Sequence, residues 1–430
     1  MNEELARDRK FTVAQSSPSQ CVRVLSIEVS EEEMQREREA VARQLRQELR
    51  VPGFRPGKVP MAYVEKNYGG AIQGDAVRNL LPAVYEQAVT QEGLHPLGEP
   101  RFEKLKAERG EGMRVEARVE VRPEVRIAGY ESVRVQVPRR PVGDAQVDEA
   151  LQGLREGMAA YVTVDRASTA TDYMVIDYAP RLESGEIDGK AWQRDYPVDL
   201  SSGSLLEEFR TGLVGTAAGQ GLDIRVRYPS DFAEAAMAGK ERSFHVQVKE
   251  VKEKLLPELD ANFVGRVAED IASLDELRER IREDLTGREA HRFAHEVEEK
   301  VVDHLIATNA FEVPRVMVDN YLASLIEEDR HRRRKPDDPD RDQEIRRIFE
   351  DSAARAVKRF FVLEAVRKQE GIVATDEDVA GKIASLAASS ERTMAELEEY
   401  FRHPERRRSL ESDIVDRKVL NFLRDRADIQ

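Results

Sequence analysis

Residues 51–60 hold the most distinctive combination of side chains in this sequence. The segment reads Val-Pro-Gly-Phe-Arg-Pro-Gly-Lys-Val-Pro, with an aromatic ring at Phe54 beside cations at Arg55 and Lys58. Proline removes backbone donors and glycine permits positive φ, so these residues cannot continue a helix or a strand and must form a shaped loop. A ring flanked by positive charge is suited to binding. Its partner should offer an apolar pocket surrounded by negative charge.

Six positions of this 51–60 loop resemble the ribosome-docking signature of the bacterial trigger factor family. They are Gly53, Phe54, Arg55, Gly57, Lys58 and Pro60. The resemblance covers nearly all of the chain apart from roughly the first ten residues, an apparent N-terminal extension. Pro56 stands where the family commonly has a second cation. The resemblance implies docking on the large ribosomal subunit, with Phe54 in an apolar contact and Arg55 paired with an acidic side chain of a ribosomal protein.

Residues 161–252 resemble an FKBP-type prolyl isomerase domain, as the middle domain of that family does. The matching positions are Tyr178, Asp188, Tyr196, Leu206, Phe209, Phe232 and Phe244. In that family such side chains line a shallow apolar bowl. The resemblance places Asp188 near the substrate carbonyl, as a polar orienting group.

An apolar bowl is sufficient for prolyl isomerisation because the reaction breaks no covalent bond. The barrier of about 18–20 kcal/mol reflects the partial double-bond character of the peptide C–N bond. A site that excludes water and binds the twisted peptide better than the planar one lowers this barrier by differential binding. No nucleophile or metal is required.

Three departures from the isomerase pattern predict that the activity is weak. Ile187 stands where the family usually has Phe, Pro180 where it has Gly, and Glu207-Glu208 where it has Pro-Gly. Two acids at the rim and a lost aromatic wall both weaken the capture of an apolar proline. The alternative for each aromatic residue is that it simply belongs to the core of a small β domain, since apolar side chains are usually buried.

The charge of the chain restricts its class of partner. The 430 residues carry a net charge of −15, which argues against general nucleic-acid binding because attraction to phosphates dominates such affinity. The region around the 51–60 loop is a local exception, where five cations face the single acid Glu48. These cations are Arg43, Arg46, Arg50, Arg55 and Lys58. A basic, ribosome-facing patch on an acidic protein is consistent with the resemblance.

Cysteine content and hydropathy indicate the compartment. Cys21 is the only cysteine, so no disulfide can form within the chain, which is typical of a reducing cytosol. The first ten residues have no apolar core and do not form a signal peptide, and no run approaches the roughly 18 apolar residues of a membrane span. We expect a cytoplasmic protein without a membrane partner.

Periodicity predicts the elements that position these residues. Apolar residues alternate with charged ones from Met113 to Val121, which predicts a strand. Helical patterns precede the 51–60 loop and follow it at 60–68 and about 71–93, with Pro60 as a good first helical residue. After Pro257 the pattern is almost wholly helical.

We predict an α+β multidomain fold with four parts. They are a ribosome-binding α+β domain at 1–122, a linker at 123–160, an FKBP-like β-rich domain at 161–252 and an all-α domain with helical arms at 253–430. Val147, Leu151, Leu154 and Met158 predict an amphipathic helix in the linker. The resemblance implies that this helix packs on the C-terminal domain.

The combined interpretation is an ATP-independent chaperone that binds nascent and unfolded polypeptides at the tunnel exit of the large ribosomal subunit, with weak prolyl isomerase activity. The sequence has no phosphate-binding glycine loop and no zinc-ligand cluster, so we expect no cofactor and no metal. A homodimer of the free protein is a further expected assembly. Two alternatives stay open: an FKBP-type isomerase with helical appendages, and a helical scaffold protein with one fixed partner.

Overall fold

The computed structural model describes residues 10–55, 57–182, 184–203, 205–228, 237–333, 338–390 and 392–430. The chain divides into two compact units, one from 1–138 with 294–430 and the other from 139–293. Within the described residues the helices are α1 (Glu31–Glu48), α2 (Met61–Gln91), α3 (Asp144–Gly157), α4 (Glu207–Leu213), α5 (Ala261–Val267), α6 (Leu274–Thr308), α7 (Arg315–Arg333), α8 (Pro339–Glu370), α9 (Asp376–Ala388), α10 (Met394–Phe401) and α11 (Pro404–Arg426).

The strands belong to three sheets. They are β1 (Phe11–Ser16), β2 (Val22–Val29), β3 (Arg101–Lys106), β4 (Met113–Glu120), β5 (Arg134–Val135), β6 (Ala160–Thr163), β7 (Tyr173–Pro180), β8 (Gln193–Asp199), β9 (Gly221–Arg227), β10 (Glu241–Leu255) and β11 (Asp428–Ile429). The first sheet has the order β1-β2-β4-β3, and the second has the order β6-β10-β7-β8 with β9 also paired to β10. β5 and β11 form a short parallel pair.

The first sheet forms because its strands alternate between buried and exposed side chains. On β4, Met113, Val115 and Ala117 are buried while Arg114 and Arg118 are exposed, as the predicted strand requires. The buried face packs on one side of α1 and α2. The Ser30 side chain accepts a hydrogen bond from the Glu33 backbone N–H and caps α1, the helix predicted before the 51–60 loop.

α1 and α2 are the two helices that flank the 51–60 loop. The sequence predicted two helical stretches after the loop, and this prediction is wrong, because α2 continues without a break through Gly69 and Gly70. Each glycine costs a helix interior about 1 kcal/mol. Buried residues on both sides of the pair, among them Val64 and Ile72, pack against Val41 of α1, and their burial offsets that cost.

The same unit contains the helices from the end of α6 to α11. α7 and α8 pack together through Val318 and Leu322 on one helix and Val357 and Phe361 on the other. The segment that follows the first sheet lies on these helices. The Ile127 N–H donates to the side chain of Gln369, and the Tyr130 hydroxyl donates to Glu370 at 2.6 Å.

The unit from 139 to 293 contains the second sheet and the predicted linker helix. β10 is its central strand and pairs with β6, β7 and β9, all antiparallel. The core under this sheet includes Met174, Ile176 and Val246. α3 lies on α5 and the start of α6, where Val147 and Leu151 pack against Phe263.

Candidate functional site

The 51–60 loop consists of two successive turns. The Phe54 N–H donates to the Val51 carbonyl at 3.1 Å, and the Lys58 N–H donates to the Arg55 carbonyl at 2.9 Å. In each turn a glycine has positive φ, +90° at Gly53 and +76° at Gly57. Because both glycines stand third in their turn, they match the position where a type II turn needs a left-handed residue. The two Pro-Gly pairs of the sequence therefore account for the shape of the loop.

Apolar residues at both ends of the loop pack on the helices, Val51 partly buried and Val59 fully buried. Val59 is only 1% exposed and packs with Val64 and with Val41 of α1. α2 begins at Met61, so Pro60 is the residue just before the helix and not its first residue as predicted. Its carbonyl accepts hydrogen bonds from the N–H groups of Tyr63 and Val64, which fixes the first helical turn below the loop.

The ring of Phe54 points away from the core and is 40% exposed. It lies beside the ring of Tyr63, with centroids 5.7 Å apart. Arg55 and Lys58 are also exposed, and within the described residues neither forms an ion pair. An aromatic side chain and two free cations are thus presented together by a fixed backbone.

A second candidate site lies on the sheet of the other unit and is centred on Tyr178. Its ring makes edge contacts with Tyr196, Phe244 and Phe209, at centroid distances of 5.2, 5.9 and 6.4 Å. Phe209 and Phe244 also touch, at 5.7 Å. These four residues, here called the aromatic bowl, come from β7, β8, α4 and β10. Tyr196 is 47% exposed and leaves one side of the bowl open to solvent.

A buried carboxylate holds Tyr196 over Tyr178. Asp177 accepts hydrogen bonds from the Asp195 N–H at 2.8 Å and from Arg194 at 3.1 Å. Asp195 has φ of +53°, rare for a residue with a side chain, at the point where the pairing of β7 with β8 shifts register. The bulge and its carboxylate anchor thus orient the Tyr196 ring.

The hydroxyl of Tyr178 remains protonated near neutral pH. Burial raises the pKa of Tyr178, and the proximity of Tyr196 and Tyr228 adds to the rise. The residue can therefore act as a hydrogen-bond donor in an otherwise apolar bowl.

Of the remaining predicted isomerase residues, the structure describes Leu206 and Asp188. Leu206 directly precedes α4 and packs on the same core as Phe209. Asp188 is half-buried, and its carboxylate accepts a hydrogen bond from the Lys190 N–H at 3.0 Å within its own turn. Phe232 lies outside the described residues.

The two acids predicted at the rim occupy the first turn of α4. Glu207 lies 3.3 Å from Arg210, and Glu208 accepts a hydrogen bond from the Arg227 N–H at 3.4 Å. Both therefore have partners on the protein, although Glu207 stays largely exposed.

Comparison with known proteins identifies the family. A model described as bacterial trigger factor protein matches residues 10–154, and one described as its C-terminus matches residues 273–425. The trigger factor of Halorhodospira halophila is 32% identical over 407 residues, covering 93% of this chain and 91% of that protein. The trigger factor of Limosilactobacillus fermentum is 32% identical and covers 94% of both chains. The chain belongs to the trigger factor family.

A solved structure supports the same fold. It comes from work on promiscuous substrate recognition in the folding and assembly activities of the trigger factor chaperone. It matches with a TM-score of 0.51 at 20% identity, over 96% of this chain and 99% of that chain. The predicted α+β multidomain fold with a helical C-terminal part is confirmed.

The family also gives the general function. Trigger factors are ribosome-associated chaperones that bind nascent polypeptides, and this chain is such a chaperone. Within the part of the chain that the structure describes, no helix combines the length and apolar composition that crossing a bilayer requires.

The helices α7 and α8 of this trigger factor leave apolar side chains in contact with solvent. The buried stripe of α7 consists of Val318, Leu322 and Ile326. Tyr321 is 41% exposed, and Ile348 and Phe349 on α8 are also exposed. Apolar side chains that no helix covers are available for a polypeptide client.

Two residues near the sites were not identified as functional from the sequence. Tyr63 contacts Phe54, and Tyr228 packs beside the aromatic bowl. Tyr63 stands nine positions from Phe54, so only the folding of the loop onto α2 brings the rings together. Tyr228 comes directly after β9, and only the pairing of the strands brings it to the core that Tyr178 and Phe209 also pack on.

Proposed function

We propose that this trigger factor docks on the large ribosomal subunit through Gly53, Phe54, Arg55, Gly57, Lys58 and Pro60. The observation that carries the proposal is the exposure of Phe54 on a loop held by two turns and by the buried Val59. Phe54 fills an apolar pocket on a ribosomal protein, and Arg55 and Lys58 pair with carboxylates around it. A preformed loop loses little conformational freedom on binding, so more of the contact energy becomes affinity.

Cosedimentation with vacant ribosomes tests this proposal. Phe54→Ala/Arg55→Ala should reduce the pelleted fraction at least tenfold, because the anchor and its charged neighbour are lost together. A matched control removes an exposed apolar and an exposed cationic residue elsewhere in the same unit, Leu105→Ala/Arg78→Ala. The control should pellet like the wild type. Equal pelleting of the Phe54/Arg55 variant and the wild type would contradict the proposal.

We infer that α7 and α8 hold clients through their exposed apolar side chains. Tyr321, Ile348 and Phe349 supply separate small contacts bordered by ion pairs, such as Arg346 with Asp319 at 4.0 Å. Many weak apolar contacts bind unfolded chains without sequence preference and release them as the chains bury their own apolar residues. In this proposal the cycle uses neither ATP nor a cofactor.

We further propose that the aromatic bowl catalyses slow prolyl isomerisation, with Tyr178, Tyr196, Leu206, Phe209 and Phe244 as its walls and with Asp188 at its edge. We propose Phe232, which lies outside the described residues, as a further residue of the same activity. The edge contacts of Tyr178 with Tyr196, Phe209 and Phe244 support this assignment. The bowl is apolar enough to favour the twisted amide. The acids Glu207 and Glu208 keep the activity low.

A proline-peptide assay on the full chain tests the isomerase proposal and its rim. Glu207→Gln/Glu208→Gln should raise kcat/KM for a Leu-Pro peptide several-fold, because neutral amides of the same size remove the negative charge. Arg225→Gln/Glu241→Gln, an exposed ion pair on β9 and β10, serves as the control. A wild-type rate equal to the uncatalysed rate would contradict the isomerase proposal and leave the chaperone function intact.

The finer assignments are also proposals. We propose that residues 1–122 form the ribosome-binding domain, 123–160 the linker, 161–252 the isomerase domain and 253–430 the client-binding domain. We propose that the protein is cytoplasmic and forms a homodimer when it is free of the ribosome. Analytical ultracentrifugation of the free protein tests the last point.

A further inference from the structure

A second aromatic residue accompanies Phe54 at the surface. Tyr63 belongs to the first turn of α2 and is 38% exposed, nearly the same fraction as Phe54. The two rings are tilted by 46°, with centroids 5.7 Å apart. This separation and tilt lie within the range of favourable aromatic pairs. Two half-exposed rings in contact form a larger apolar surface than Phe54 alone.

The two rings differ in how firmly their backbones are held. Tyr63 stands on a helical turn, where its N–H donates to the Pro60 carbonyl at 3.0 Å and its neighbour Val64 is fully buried. Phe54 stands at the tip of a loop, between two turns that each depend on a left-handed glycine. The rigid residue is therefore Tyr63, and the ring contact restricts the orientations open to Phe54.

We propose that Tyr63 is a positioning residue for ribosome docking and the second aromatic contact of the docking surface. The partner is a protein surface whose apolar pocket accepts both rings and whose rim carries carboxylates opposite Arg55 and Lys58. The charge of the loop region supports that rim, because none of its five cations forms an ion pair within the described residues. The inference rests on the proposed docking through Phe54.

The kinetics of binding to vacant ribosomes test this role. Tyr63→Ala should raise the dissociation rate constant about 2- to 10-fold, since an aromatic pair is lost and Phe54 is released. The association rate constant and its salt dependence should stay unchanged, because every charge remains. Tyr63→Phe keeps the ring and should remain within about 2-fold of the wild type in both constants. Arg55→Ala should instead lower the association rate and weaken its salt dependence.

A double-mutant cycle shows whether Tyr63 acts through Phe54. If it does, Tyr63→Ala should add less to Phe54→Ala than it adds to the wild type. Tyr400→Ala, which removes a similarly exposed tyrosine on α10, should leave the dissociation rate constant unchanged. Tyr63→Leu retains an apolar side chain of helical preference. It replaces the alanine variant if thermal unfolding shows that Tyr63→Ala is destabilised.

The outcomes separate this inference from the docking proposal. A large effect of Phe54→Ala with no effect of Tyr63→Ala or Tyr63→Leu overturns the role of Tyr63 and leaves the docking proposal standing. An absence of effect from Phe54→Ala overturns both. Equal losses from Tyr63→Phe and Tyr63→Ala would mean that the hydroxyl is the contact, which also overturns the positioning role.

Discussion

The backbone N–H of Lys58 donates to the carbonyl oxygen of Arg55 at 2.9 Å, so the two cations of the 51–60 loop stand at the ends of a single turn. The ends of such a turn lie within about 7 Å of each other. Their charges are therefore presented as one unit beside the exposed Phe54. The spacing depends on Gly57, whose φ of +76° few other residues adopt.

Replacing Gly57 should weaken docking through the backbone alone. An added Cβ would meet no heavy atom within 4 Å, so Gly57→Ala has no clash, but the left-handed conformation costs an L-residue about 1–2 kcal/mol. We expect the affinity for ribosomes to fall about 5- to 30-fold, measured by cosedimentation titration. Gly69→Ala, in the interior of α2 with equally open space, should instead stabilise the fold by about 0.5–1 kcal/mol. Unchanged affinity in Gly57→Ala would show that the turn need not be preformed.

The aromatic bowl can be tested separately from the core of its sheet. Tyr196 is half-exposed, so Tyr196→Ala should lower kcat/KM for a proline peptide about tenfold, by removing one wall, with a loss of stability below about 1 kcal/mol. Val246→Ala is the matched core variant. It lies fully buried under the same sheet and should cost about 2 kcal/mol in urea unfolding. If the two variants lose activity in proportion to their loss of stability, the aromatic bowl is part of the domain core and has no catalytic role.

The exposed side chains of α7 and α8 should matter for clients and not for folding. We expect Tyr321→Ser/Phe349→Ser to reduce the suppression of aggregation of a denatured test protein several-fold, because both rings are 41% exposed. The change in unfolding free energy should remain near 1 kcal/mol or less. Leu105→Ser on β3 is the control, since it removes an exposed apolar residue elsewhere in the unit. A control as defective as the α7–α8 variant would indicate unspecific surface binding.

The start of α9 should make acid stability depend on Asp378. A hydrogen bond from Lys418, together with bonds from the Thr375 hydroxyl and N–H, lowers the pKa of Asp378 from 3.8 to about 2. Because the folded-state pKa is depressed, this stabilisation is complete above pH 3.8 and is lost as the pH falls through about 2. Asp378→Asn should therefore be less stable than the wild type at neutral pH, and the difference should shrink between pH 4 and 2.

Denaturant unfolding at a series of pH values measures this shrinking difference. Lys418→Met removes the hydrogen bond that lowers the pKa of Asp378 most, but it keeps the bonds from Thr375. The unfolding free energy of this variant should therefore depend on pH in the same direction as that of the wild type, but less strongly. A difference that stayed constant down to pH 2 would contradict the linkage.

The elements with strong local patterns could be predicted from the sequence. Alternation from Met113 to Val121 predicted β4, and the helical pattern before the 51–60 loop predicted α1. α2 was divided incorrectly because Gly69-Gly70 is a local helix-breaking signal. Burial of Val64 and Ile72 against α1 outweighs that signal. These contacts join residues that are distant in sequence, so the residues around Gly69 alone could not predict them.

The candidate sites could be predicted only as far as their residues are close in sequence. The 51–60 loop is contiguous, and its turns follow from its Pro-Gly pairs. The aromatic bowl unites four elements that are far apart in sequence. Only the resemblance identified its residues, and only the structure shows how their rings are arranged.

β3 was not predicted, because its burial does not alternate and its pairing with β4 shifts register near Lys104, which has positive φ.

The parallel pairing of β5 with β11 joins Arg134 to Asp428, and the unit that contains both is interrupted in sequence by the whole of the unit from 139 to 293. During translation nearly three hundred residues are synthesised after Arg134 before Asp428 emerges and the pair can form. All residues of the unit from 139 to 293 are synthesised much earlier, so that unit can fold first. This nascent-chain chaperone is thus itself a nascent chain whose interrupted unit stays incomplete until its synthesis is almost over.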